Sequence, residues 1–159
     1  MSPSLYKMKN IVIGSDHGGF KLKEKISEYL EKKGFKVRDV GTFCEESCDY
    51  PLFAAQAARL VSQGKCGLGI LICKSGIGSS IVANKFPGVR AALCYNLTAA
   101  RLSREHNDSN ILVLGSRFVS AALAKRMVKV WLNTEFQGGR HQRRLNIIKN
   151  IEKKIRGAK

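Results

Sequence analysis

Cys73 closes the apolar run LGILIC, and Ser75, Gly76 and Gly78 follow it at once into a segment that reads as the start of a helix. A thiol at the carboxyl end of a buried strand, entering a glycine-rich turn, lies where main-chain N–H groups can gather around an anion. Removing a proton next to a carbonyl builds charge on an oxygen, and fixed donors stabilise that charge in the transition state. The same helix start favours thiolate over thiol, so one turn can serve both base and oxyanion. A second glycine-rich turn, Gly14 to Gly19, adds Asp16 and His17. An acid, an imidazole, a thiol and a hydroxyl around N–H donors suit proton transfer on a phosphorylated or carbonyl-bearing small molecule. The plainer alternative makes Asp16 a helix cap and Cys73 a small apolar strand end.

Neither turn is a nucleotide signature. Gly76-Ile77-Gly78-Ser79-Ser80-Ile81 starts like the dinucleotide fingerprint but has Ile81 where a small residue is needed, and no acid stands at the ribose-binding distance. Gly14-Ser15-Asp16-His17-Gly18-Gly19 starts like a phosphate loop but continues with Phe20 where that loop requires lysine. Later in the chain, His106 sits in SREHNDSN, as either a surface group or a catalyst. In GGRHQRR, a glycine turn leads into a helix with Arg140 and Arg144 one turn apart, which presents two planar forks on one face for an oxyanion. A solvated basic face or a nucleic-acid contact would use the same residues.

These residues need a scaffold, and the hydrophobic pattern supplies one. The runs NIVIGS, FKVRDV, LGILIC, GVRAALC and NILVLG alternate with helical patterns at about Gly19 to Lys33 and Pro51 to Gln63 and after each later run. Nearly continuous apolar strands, each followed by a helix, predict a parallel sheet covered on both faces. The expected fold is a Rossmann-like three-layer α/β/α sandwich with five strands, a core over about 10–135 and a basic helical segment over about 140–157, all in one domain spanning 1–159. The turns after the first and third strands then flank the reversal point of the sheet and face one crevice. The stripe Val119, Leu123, Met127, Val130 and Trp131 marks a further helix. Ile148, Ile151 and Ile155 form a last stripe that needs a partner surface, on this chain or on a second copy.

A chain of 159 residues can bury a core without disulfides or metal. Its five cysteines, Cys44, Cys48, Cys66, Cys73 and Cys94, are odd in number and fit reduced thiols. Only Cys44 and Cys48 lie close together, and His17, His106 and His141 sit in separate segments, so no metal site is expected. The amino end MSPSLYKMKN lacks a signal-peptide core and no run approaches a membrane span, so a cytoplasmic protein is expected. The net charge of +16 attracts anions without naming one. In the absence of aromatic platforms or a known RNA or DNA module, nucleic acid is not the expected partner.

The segments GSDHGGFKLK, Asp49-Tyr50-Pro51, ILICKSGIGSSIVANKFPGVRA, SREHNDSNILVLGSR and GGRHQRR run in order from about Asn10 to about Ile151. Together they resemble the B-type ribose-5-phosphate isomerases. The resemblance implies an aldose–ketose isomerase of the pentose phosphate pathway that interconverts ribose 5-phosphate and ribulose 5-phosphate without metal or organic cofactor. It also implies a homodimer, or a higher oligomer, whose active site draws on both subunits.

By position, Cys73 would be the base that moves a proton between the first two sugar carbons, and Ser75 would assist proton movement between the oxygens. The backbone through Lys74, Ser75, Gly76, Ile77 and Gly78 would hold the enediolate. His106, with Asn107 beside it and help from Asp16, would open the furanose ring. His17, Arg117, Arg140 and Arg144 would hold the phosphate, and Tyr50 would line the pocket. Lys74 stands where such proteins more often carry a small residue, and an inward ammonium would act on Cys73 or narrow the substrate range. The motifs also admit an isomerase of galactose or allose 6-phosphate. From another class, they admit a non-catalytic anion or RNA binder.

Overall fold

The computed structural model describes residues 10–157. The amino-terminal segment discussed above, up to residue 9, and the last two residues of the basic tail lie outside them. Five strands, β1 (Asn10–Ser15), β2 (Lys36–Asp39), β3 (Leu68–Cys73), β4 (Ala91–Leu93) and β5 (Ile111–Gly115), form one parallel sheet. Side chains alternate across a strand, so a run buried on both faces divides its residues between two cores. Ile11, Ile13, Ile70, Ile72, Leu112 and Leu114 join one cluster, and Val12, Leu71, Ile111 and Val113 join the other.

Helices α1 (Phe20–Lys32), α4 (Leu97–Glu105) and α5 (Ala121–Asn133) cover the first cluster. Helices α2 (Tyr50–Ser62) and α3 (Ile77–Ala83) cover the second, where Ala54, Ala57 and Ala58 let α2 approach closely. This is the expected three-layer sandwich. The strand order is β2-β1-β3-β5-β4, so β5 inserts between β3 and β4. The turn after β5 therefore meets the turn after β3, a neighbour that the sequence does not specify. The runs FKVRDV and GVRAALC shrink to the short outer strands β2 and β4, each with a strand neighbour on one side only.

On α1, Leu22, Ile26 and Leu30 face the core as their spacing predicts, but Lys23 is fully buried as well. Its ammonium pairs with Asp39 and with Glu24 and lies over the Phe20 and Phe43 rings. The other Asp39 oxygen accepts the Gly41 N–H at 2.8 Å, which anchors the start of the loop leading to Tyr50. Asp39→Ala leaves the buried ammonium with the half-exposed Glu24 as its one carboxylate partner and is expected to cost about 3 kcal/mol in urea unfolding. Lys23→Met in the same background should recover most of that loss, since an apolar side chain suits the site.

On α5, Ala124, Met127, Val128 and Trp131 are buried, whereas Leu123 and Val130 flank the core half-covered. The last helix, α6 (Arg140–Gly157), buries only His141 among its described residues. Ile148, Ile151 and Ile155 remain exposed and border a groove of about 1190 Å³ facing Phe86, Pro87 and Val89. Glu152 spans that groove, its carboxylate accepting the Gly88 N–H at 2.9 Å. Among the described residues, no helix is long and apolar enough to cross a membrane.

Candidate active site

Because β1, β3 and β5 lie side by side, the turns that follow them share the carboxyl rim of the sheet. Hydrogen bonds join the three turns. The Ser116 hydroxyl donates to the Gly18 carbonyl at 2.7 Å, Ser116 N–H to the Cys73 carbonyl at 2.9 Å, and Arg117 N–H to the Lys74 carbonyl at 3.1 Å. Cys73, 4 % exposed, accepts the Gly76 N–H on its sulfur at 3.1 Å. An anionic sulfur takes such a donor as a charge-assisted bond. The Ser75 hydroxyl accepts the Ile77 N–H at 3.2 Å, while the Ser75 carbonyl takes the Tyr95 hydroxyl at 3.0 Å. Gly76, left-handed at φ 82°, turns the chain from β3 into α3.

The other residues expected at this rim are present. Asp16 is 6 % exposed and one carboxylate oxygen accepts the Gly19 N–H at 3.0 Å, which closes the turn ahead of α1, whose own cap position is Gly19 and not the Asp16 of the plainer reading. His17 Nδ1 lies 3.2 Å from both the N–H and the carbonyl of Cys48. When Nδ1 accepts the Cys48 N–H, the ring proton sits on Nε2, which can then donate to an anion. Tyr50 packs on Gly78 so closely that a Cβ there would collide with its ring. Lys74 is exposed, and its methylene stem crosses Gly18, where a Cβ would collide with it. The side chain runs along the rim from the third turn over the first.

The remaining site residues lie elsewhere. Helix α4 returns from the carboxyl rim, so its cap His106 and the next residue Asn107 fall at the amino ends of β4 and β5. Main-chain bonds from Asn110 to Arg90 and Gly69 fix that level. Five residues of strand, at about 3.3 Å each, separate Asn110 from the Gly115 that pairs with Cys73. Within one copy, His106 and Cys73 are therefore held at opposite ends of the sheet, roughly 16 Å apart or more along the strands.

Here His106 stands in a rigid setting. Asp108, at a left-handed φ of 43°, is clamped by Arg104 at 2.7 Å and Arg90 at 3.0 Å. Arg90 Nε also donates to the carbonyls of Asn107 and Asp108 at 3.0 and 2.9 Å. Buried Trp131 donates to the Ser109 hydroxyl at 2.8 Å, which meets Ser103 at 2.9 Å. Helix α5 ends at the same level, and Gln137 N–H donates to the Glu105 carbonyl at 3.0 Å, which brings Arg140 and His141 beside His106. Arg140 and Arg144 are both exposed on the first turns of α6.

Cys48, Tyr95 and Ser116 at one rim, and Arg90, Arg104, Asp108 and His141 at the other, were not legible as site residues. Arg90, Arg104, Asp108, Ser116 and His141 lie inside the motif segments quoted above, but what they hold there, apart from the Arg104–Asp108 pair, depends on contacts between segments far apart in the chain. Among the described residues no group of three or more His, Cys, Asp or Glu side chains converges as metal ligands, and all five cysteines are free. Burial raises the Cys66 thiol and pushes Cys94 up to about 11, which keeps both protonated in the core.

A doubly wound α/β sheet whose switch-point turns gather a thiol, an imidazole, a carboxylate and main-chain donors defines a protein built for acid–base work on an anionic small molecule. The chain belongs to the Ribose/Galactose Isomerase family, whose model matches residues 11–148. It is 48 % identical over 147 residues to ribose-5-phosphate isomerase B of Escherichia coli, covering 92 % of this chain and 99 % of that one. The structure of ribose-5-phosphate isomerase B from Clostridium thermocellum superposes with a TM-score of 0.90 at 54 % identity, covering 92 % and 99 % of the two chains. That from Mycoplasma genitalium, with bound ribulose-5-phosphate, superposes with a TM-score of 0.87 at 44 % identity, covering 91 % and 96 %.

Proposed function

We propose that this chain is an aldose–ketose isomerase interconverting ribose 5-phosphate and ribulose 5-phosphate through an enediolate, with the whole chain acting as one isomerase domain. The observation that carries the reading is Cys73, whose sulfur is held by the Gly76 N–H at the turn that opens α3. As thiolate, Cys73 takes the proton from the carbon beside the carbonyl and returns it to the neighbouring carbon. The turn from Lys74 to Gly78 presents main-chain donors to the oxygens on which charge develops. Ser75 relays a proton between those oxygens, and Tyr50 closes the pocket against Gly78. The residues present need no metal or organic cofactor for these steps. Five free thiols fit a reducing, cytoplasmic compartment.

The active form in this reading is a homodimer. Ring opening by His106 and Asn107, with help from Asp16, and proton transfer by Cys73 act on one sugar, yet one copy holds the two groups at opposite rims. A two-fold axis that brings the carboxyl rim of one copy to the amino rim of the other completes two identical sites. It also unites His17 and Arg117 of one copy with Arg140 and Arg144 of the other around the phosphate. The exposed stripe Ile148, Ile151 and Ile155 supplies apolar surface for such a contact.

The test is formation of ribulose 5-phosphate from ribose 5-phosphate with EDTA present, beside allose 6-phosphate and galactose 6-phosphate. Turnover of the pentose is expected; turnover of a hexose alone would move the reading to that substrate. Salt-sensitive RNA retention without turnover would favour a binder. Arg140→Ala and Arg144→Ala should each raise KM for ribose 5-phosphate by about tenfold or more, since each removes a charge-assisted fork. Residual activity on unphosphorylated ribose should barely change, and equal losses on both sugars would make the arginines structural.

A further inference from the structure

His141 is the one residue that α6 buries, at 5 % exposure, and none of the steps above uses it. Its ring stacks on that of His106 with centroids 4.2 Å apart and planes 8° from parallel. Its Nε2 lies 3.4 Å from Arg140 Nε. A guanidinium only donates, so Nε2 must be the acceptor and the ring proton sits on Nδ1. The imidazole that backs His106 is therefore neutral and has its tautomer set by an arginine expected to grip phosphate.

We propose that His141 is a positioning residue that fixes the plane of His106 and couples it to Arg140, so that the phosphate grip and the ring-opening group of one copy move as a unit. The inference rests on the isomerase reading and adds to it a link between binding and ring opening. A flat neutral ring against one face leaves His106 free to turn only in its own plane, and a misplacement of about 1 Å at such a group can cost up to about a hundredfold. Charge points the same way. Burial, His106, Arg140 and Arg144 all hold His141 below the ordinary histidine range, in that order of effect. The only acid of α4, Glu105, is engaged by Arg101 at 3.0 Å.

The test compares His141→Asn, which removes the stacking face, with His141→Phe, which keeps a flat ring but loses the acceptor. Each variant is first checked for a native circular dichroism spectrum and a dimeric mass. Two rates are then measured beside the wild type: turnover of cyclic ribose 5-phosphate, and exchange of ribulose 5-phosphate hydrogen with deuterated water, which needs no ring opening. For His141→Asn, turnover should fall about tenfold while exchange changes less than about twofold. For His141→Phe, turnover should be largely kept while KM rises several-fold, because Arg140 loses its anchor.

A second readout is independent of activity. The His106 ring protons should be shifted upfield by the stacked ring in the wild type and in His141→Phe, and should lose that shift in His141→Asn. Equal falls in turnover and exchange, unchanged turnover in His141→Asn, or absence of the upfield shift in the wild type would each overturn the proposal. A wild type that cannot isomerise ribose 5-phosphate fails the functional reading itself, and the wild-type rates show that separately.

Discussion

Cys73→Ala is expected to fold as the parent does and to lose at least about a hundredfold in kcat, the usual worth of a positioned acid–base group. The thiol is small and 4 % exposed, and its polar contact is the Gly76 N–H, so alanine leaves the strand and the turn in place. A base acts in the transition state and adds little to ground-state binding, so KM should move little. Exchange of ribulose 5-phosphate hydrogen with deuterated water should fall in parallel with kcat, because both need proton abstraction at carbon. Retention of more than about a tenth of wild-type kcat by a natively folded variant would exclude the base role.

The second large effect is a gain. Cys73→Ala and His106→Asn proteins, each impaired alone, should recover activity when mixed and allowed to exchange subunits. His106→Asn by itself should slow the cyclic sugar far more than the exchange reaction, since ring opening precedes chemistry at carbon. In a heterodimer with shared sites, one site combines both substitutions and the other combines neither. An equal mixture should therefore approach about a quarter of wild-type activity, set by the fraction of intact sites under two-fold symmetry. If both residues acted in one subunit's site, every heterodimer site would carry one lesion and mixing would give no gain. A monomer at micromolar concentration in the ultracentrifuge would refute the dimer outright.

The sequence by itself determined the strands, the helix stripes and the two glycine-rich turns. Local pattern governs each of them: apolar runs such as LGILIC, buried on both faces, and the stop signals at Gly34 and Gly64. It also placed Cys73 at a strand end and brought the first turn to the third, because adjacent crossovers of one hand leave little choice there. The tertiary structure decided what depends on distant partners. That β5 lies between β3 and β4 follows from which face each connecting helix covers, and this put Ser116 and Arg117 against Cys73. The return of α4 carried His106 to the opposite rim, a consequence of helix direction and not of any residue near it. Lys23 is charged and yet buried because Asp39, on another element, waits for it, and no periodicity reports a partner 16 positions away. The stack of His141 on His106 likewise arises where α6 begins beside the end of α4, and neither histidine's own neighbours in sequence specify it.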